Sequence, residues 1–79
     1  MSNHFVVMPL PPNNNLNDIV ATTLQERKKL PLNELQELLG NKWGYVSVLH
    51  ESDKWLLEEY RKKGCNIYPI IGGEVVLPN

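Results

Sequence analysis

Apolar residues along this chain fall into three helical stripes followed by two short runs of strand character. Leu16, Ile19, Val20 and Leu24 stand at i, i+3, i+4 and i+8, which predicts an amphipathic helix over residues 16–29. Asn15 is placed to cap it, and Asp18 falls in its first turn, where a carboxylate meets the positive end of the helix dipole. Pro31 prevents uninterrupted continuation but suits the first turn of a second helix, residues 31–39. Asn33 and Gln36 have capping-box spacing, which would move that start slightly later. Leu32, Leu35, Leu38 and Leu39 supply its buried face, and Gly40 is its left-handed stop.

A third helical stretch covers residues 45–63. Tyr45, Val46, Leu49, Leu56 and Tyr60 gather on one side at 100° per residue, with Ser47, His50, Lys54 and Arg61 roughly opposite. Asp53 falls toward the apolar side and breaks the pattern. Two readings therefore stand: one continuous helix, or a new helix capped at Ser52 or Asp53 with residues 45–51 as a separate segment.

The remaining residues, 64–79, read as a hairpin. Gly64 ends the charged helical run, and two apolar runs, 66–71 and 75–77, flank Gly72-Gly73, which supplies the positive φ angles of a tight turn. Residues 1–15 read as an extended N-terminal arm. Phe5 to Met8 is a short apolar piece that could add an edge strand or hold a partner chain, followed by a Pro-rich spacer and three asparagines. The domain proper is expected at residues 16–79, with an α+β, mainly helical fold.

Composition bounds these readings. Seventy-nine residues make one small domain with a modest core. The single cysteine, Cys65, leaves no intrachain disulfide or cysteine-based zinc site, which favours a reducing, cytoplasmic location. No apolar run approaches a membrane span, and the N-terminus lacks signal-peptide character. The net charge of −1 counts against strong nonspecific nucleic-acid binding. Basic residues cluster at Arg27-Lys28-Lys29 and Arg61-Lys62-Lys63, both at expected helix ends, where cations meet the dipole favourably.

Residues 30–40 (LPLNELQELLG) and 57–78 carry a family resemblance. The first resembles the second helix, and the second the recognition-helix end and wing, of winged helix-turn-helix domains of biotin-repressor-type regulators. Gly64, Ile67, Gly72, Leu77 and Pro78 fit that frame without gaps. The resemblance implies a three-helix winged helix-turn-helix with a C-terminal β-hairpin wing, in a small transcriptional or replication regulator that binds double-stranded DNA. The sequence departs from the pattern at Asn41 to Gly44, where the family has a short turn, and at Gln36, Glu74 and Val75. An acidic residue near a wing tip would face phosphates unfavourably.

On that reading Ser47, His50 and Lys54 face the major groove, Lys42 holds phosphate, and the Gly72-Gly73 tip approaches the adjacent groove. Ser47, His50 and Lys54 taken alone read as a solvated helix face. The competing role is a protein-interaction adaptor using an aromatic flank, Trp43 and Trp55, or the N-terminal arm. A homodimer would reconcile the two. The alternative is that these aromatics complete a small core, a reading that suits Trp43 better than Trp55. An enzyme is not expected: His4 and His50 are the only histidines, Glu58-Glu59 point about 100° apart on a helix, and no phosphate loop is present. No cofactor or metal is expected, because no ligand spacing supports one.

Overall fold

The structure, a computed structural model, describes residues 3–8 and 15–77. These form a small α+β domain of three helices and a five-stranded antiparallel sheet. In chain order the elements are β1 (His4–Met8), α1 (Asn15–Arg27), β2 (Lys29–Pro31) and α2 (Leu32–Leu39). A 3₁₀ segment (Gly40–Tyr45), β3 (Ser47–His50), α3 (Lys54–Lys62), β4 (Asn66–Ile71) and β5 (Glu74–Val76) follow. The strand order is β2-β5-β4-β1-β3. Sheet and helix contribute comparably, which corrects the expectation of a mainly helical domain.

The largest correction concerns the N-terminus. His4–Met8 was expected in an arm outside the domain, yet β1 lies between β4 and β3 and pairs with both. Val6, Val7 and Met8 are all buried. A strand covered on both faces shows a continuous apolar run rather than alternation, so its sequence carries no period. The rest of the expected arm, residues 9–14, lies outside the described residues.

Three expectations stand with small shifts. α1 ends at Arg27, two residues early, because Lys28 adopts a positive φ of 70° and turns the chain into β2. α2 starts at Leu32 with Pro31 at its N-cap position, and Asn33 accepts from the adjacent Glu34 N–H instead of capping the helix. The hairpin forms at Gly72-Gly73, whose φ angles of 59° and 76° are those a primed turn needs. Pro69 faces the β5 side and has no N–H to donate. Pairing of β4 with β5 therefore stops after Ile70, while β5 continues along β2.

The continuous helix over residues 45–63 does not form. β3 and α3 replace it, joined by a turn built from local hydrogen bonds. Asp53 Oδ2 accepts from the His50 N–H at 3.2 Å, the Asp53 N–H donates to His50 O at 2.9 Å, and the Ser52 N–H donates to His50 Nδ1 at 3.1 Å. Such short polar side chains offer the backbone an alternative to the helical ladder. The second reading, a separate segment before a new helix beginning at Asp53, is the one that holds, with Asp53 at the N-cap position of α3.

One cluster forms the main core: Val6, Met8, Val20, Leu24, Leu30, Leu35, Leu39, Tyr68 and Val75. It joins α1 and α2 to one face of the sheet. Ile19 and Leu38, both expected on buried faces, are exposed. Val7 alternates to the opposite face from Val6 and Met8, and it is buried outside that cluster, as is Leu57 of α3. β3 and β4 both run antiparallel to β1 and hence parallel to each other, so α3 is a crossover between them. That crossover is placed to cover the second face.

Met8→Ala should cost about 2–5 kcal/mol, as for other fully buried large-to-Ala changes. A domain of this size has roughly 4–12 kcal/mol in total. Urea unfolding followed by tryptophan fluorescence should therefore show a large drop in midpoint; an arm outside the domain would leave it unchanged. Burial raises the pKa of Tyr68 above its ordinary value of 10.0. Above that pH the unfolded chain loses the phenolic proton while the native state keeps it, so native stability falls as pH rises. Tyr68→Phe should flatten this alkaline loss in thermal melts taken across that range.

Candidate functional site

The expected DNA-facing stripe of Ser47, His50 and Lys54, together with Lys42 as the expected phosphate contact, is distributed over three elements. Lys42 is exposed in the 3₁₀ segment, Ser47 and His50 are half-buried on β3, and exposed Lys54 opens α3. Ser47 and His50 also point to opposite faces of the sheet, because they lie an odd number of residues apart on one strand. Helical spacing at 100° per residue cannot align side chains on a strand, so the stripe is not formed.

Gly72 and Gly73 occupy the exposed tip of the β4–β5 hairpin. The tip is tied to the start of α2, where the Leu32 N–H donates to Gly73 O at 3.0 Å. Glu74 is half-buried, and Lys29 Nζ sits 3.7 Å from its Oε1. The acid near the hairpin tip is thus matched by the neighbouring strand.

The two basic clusters end helices, as expected, and much of their charge is matched. Arg27 Nη1 lies 2.7 Å from Glu34 Oε2, and this hydrogen bond and charge raise the guanidinium pKa further. On α3, Arg61 pairs with Glu58 at 3.0 Å and Lys62 with Glu59 at 3.9 Å. Lys63 stands over the Tyr60 ring at 5.7 Å. Among the described residues Lys28, Lys42, Lys54 and Lys63 have no acidic partner. Each of the two carboxylates of α3 has a cation beside it, and Lys54 at the start of the helix leaves it with one positive charge in excess.

His50 is held by its own turn. Its Nδ1 receives the Ser52 N–H and lies 2.9 Å from Ser52 Oγ, while its ring meets His4 edge-on with centroids 4.9 Å apart. This contact follows from register, since His4 and His50 are directly opposed across β1 and β3. Cys65 is half-buried, and its N–H donates to Tyr60 O at 3.0 Å. No group of three His, Cys, Asp or Glu suited to a metal occurs among the described residues. No described helix is long and apolar enough to cross a membrane.

The aromatic residues separate cleanly. Trp43 is half-buried and packs on the main core, so its role is to complete that core. Trp55, in the first turn of α3, is 69% exposed, and Tyr45, expected on the apolar side of a helix, is 76% exposed. Tyr45 became visible as a surface residue only once 45–63 divided, because its helical face does not exist. The outer edge of β3 was likewise hidden from sequence reasoning, because an edge is defined by which strands pair.

Compared with models of known protein families, with curated proteins and with solved structures, the chain matches none.

Proposed function

We infer that this domain is a protein-interaction adaptor whose main anchor is Trp55. The observation that carries this reading is the exposure of a tryptophan on a helix whose two carboxylates are each paired with a cation. Tryptophan offers a large contact area at low entropic cost, and it is enriched among residues that dominate binding energy. With Arg61 and Lys62 already paired, little of the helix's basic charge is left for a polyanion, which favours a protein partner. The contact is expected at the start of α3, where Lys54 adds an unmatched cation.

Trp55→Ala should leave stability within about 0.5 kcal/mol, since the side chain is mostly in water. Partner affinity should fall by about 2 kcal/mol, close to thirtyfold. Proteins retained on the immobilised wild-type domain and lost from the Trp55→Ala variant would support the reading. Equal retention by both would overturn it.

A second reading, sequence-specific DNA binding by a winged helix in a small transcriptional or replication regulator, is favoured by connectivity. α1, β2, α2, α3, β4 and β5 follow the winged-helix order, and β2, β5 and β4 pair as its small sheet does. The 3₁₀ segment and β3 stand where that family has a short turn, and β1 is additional. Lys42 and Lys54 would supply phosphate contacts, with Gly72 and Gly73 at the wing tip. On this reading DNA affinity falls with salt, and Lys54→Glu lowers both the affinity and the salt slope, the slope by about one. Absence of binding to double-stranded DNA at low salt would remove it.

A further inference from the structure

We propose that the outer edge of β3 is a self-pairing site, at which a second copy of this chain adds its own β3 antiparallel about Val48. This surface is separate from Trp55, so the proposal stands or falls independently of the adaptor reading.

The argument begins with the direction of backbone groups. The Glu51 N–H donates to Asn3 O at 2.8 Å, which fixes the hydrogen-bonded pairs of the β1–β3 ladder. In an antiparallel ladder these alternate with non-hydrogen-bonded pairs, so Leu49 and Ser47 also turn their polar groups toward β1. Val48 and His50 turn theirs outward. The outward groups of His50 are both occupied by Asp53, through its carboxylate and its N–H. On the other side, the Val46 N–H donates to Trp43 O at 3.0 Å. Val48 is therefore left in the middle with an outward N–H and C=O that have no partner among the described residues, and the residue is 43% exposed.

The opposite edge of the sheet shows what a protected edge looks like here. β2 turns Lys29 and Pro31 outward, a charged residue and one with no N–H, which are common devices against edge pairing. β3, with the sequence Ser-Val-Leu-His, has neither. Its ends are covered by turns and its centre is open.

Charge selects the occupant. Lys42 precedes β3 and Glu51 follows it, both are exposed, and neither has an ion-pair partner among the described residues. An antiparallel pair about a two-fold axis at Val48 sets Val48 opposite Val48 of the second copy and Glu51 opposite Tyr45. Lys42 lies one 3₁₀ turn before Tyr45, about 6 Å along the axis and within reach of a lysine side chain. Each Lys42 then meets the Glu51 of the other copy, twice by symmetry. A parallel arrangement would put like charges together. The pairing supplies two backbone hydrogen bonds, from each Val48 N–H to the other Val48 C=O, with the two valine side chains in contact.

Sedimentation equilibrium of the full chain into the millimolar range tests this directly. A reversible monomer–dimer equilibrium is expected. Val48→Pro, which removes the outward N–H without touching the β1 ladder, should abolish it. Lys42→Glu should weaken the dimer about tenfold through two lost pairs and new repulsion, and the double variant Lys42→Glu/Glu51→Lys should restore it. A monomer at every concentration overturns the proposal, as does a folded Val48→Pro protein that dimerises like wild type. Should Val48→Pro fail to fold, the charge exchange decides: no restoration by the double variant overturns the proposal.

Discussion

β1 has its backbone tied to β3 along one edge and to β4 along the other, and its side chains Val6, Val7 and Met8 are withdrawn from water on both faces. Everything else in the domain is arranged around that double demand. Two of the three helices close the face that carries Val6 and Met8, while α3 must cross from β3 to β4 because β1 stands between them. A small chain gains from such a strand, since one short apolar run is used on two sides and a modest core becomes sufficient. The same insertion places β3 at the edge, and so creates the surface on which Val48 is exposed.

Local chemistry was legible in the sequence and long-range pairing was not. The Gly72-Gly73 turn, the stop at Gly64 and the proline-started α2 each rest on residues with a strong backbone preference, and all three are found. β1 was obscured because burial on both faces erases alternation. β2 is three residues that become a strand only through β5, which no local signal announces. The division of residues 45–63 was foreshadowed by one residue, Asp53, whose position spoiled the helical stripe; its carboxylate is committed to the His50 N–H. The lesson from Tyr45, Ser47 and His50 is that a site inferred from helical spacing dissolves when the helix does. Lys42, Lys54, Trp55 and the two hairpin glycines remain exposed residues, but Lys54 no longer shares a face with Ser47 and His50.

Charge matching narrows what such a surface does. Arg27, Lys29, Arg61 and Lys62 each have a carboxylate beside them, which removes most of the basic footprint that the two clusters suggested. These exposed pairs contribute little stability individually. On the proposed adaptor reading, pairing Glu58 and Glu59 with Arg61 and Lys62 lowers the cost of stripping that helix face of water when Trp55 is covered. The fold itself is a small α+β domain of three helices and a five-stranded antiparallel sheet, and the adaptor role rests on the exposure of Trp55.

The placement of β1 inside the sheet is the claim on which these conclusions rest, and amide hydrogen exchange followed by NMR tests it most directly. In dilute solution the Val6 and Val7 amides, directed toward β4 and β3 respectively, should exchange only through global unfolding. The Leu49 amide, bonded to β1, should be slow while its neighbour Val48, directed outward, exchanges fast. Rapid exchange of Val6 and Val7 alongside slow exchange in β4 and β5 would contradict the account, because it would return His4–Met8 to an arm and dissolve the edge that β3 presents.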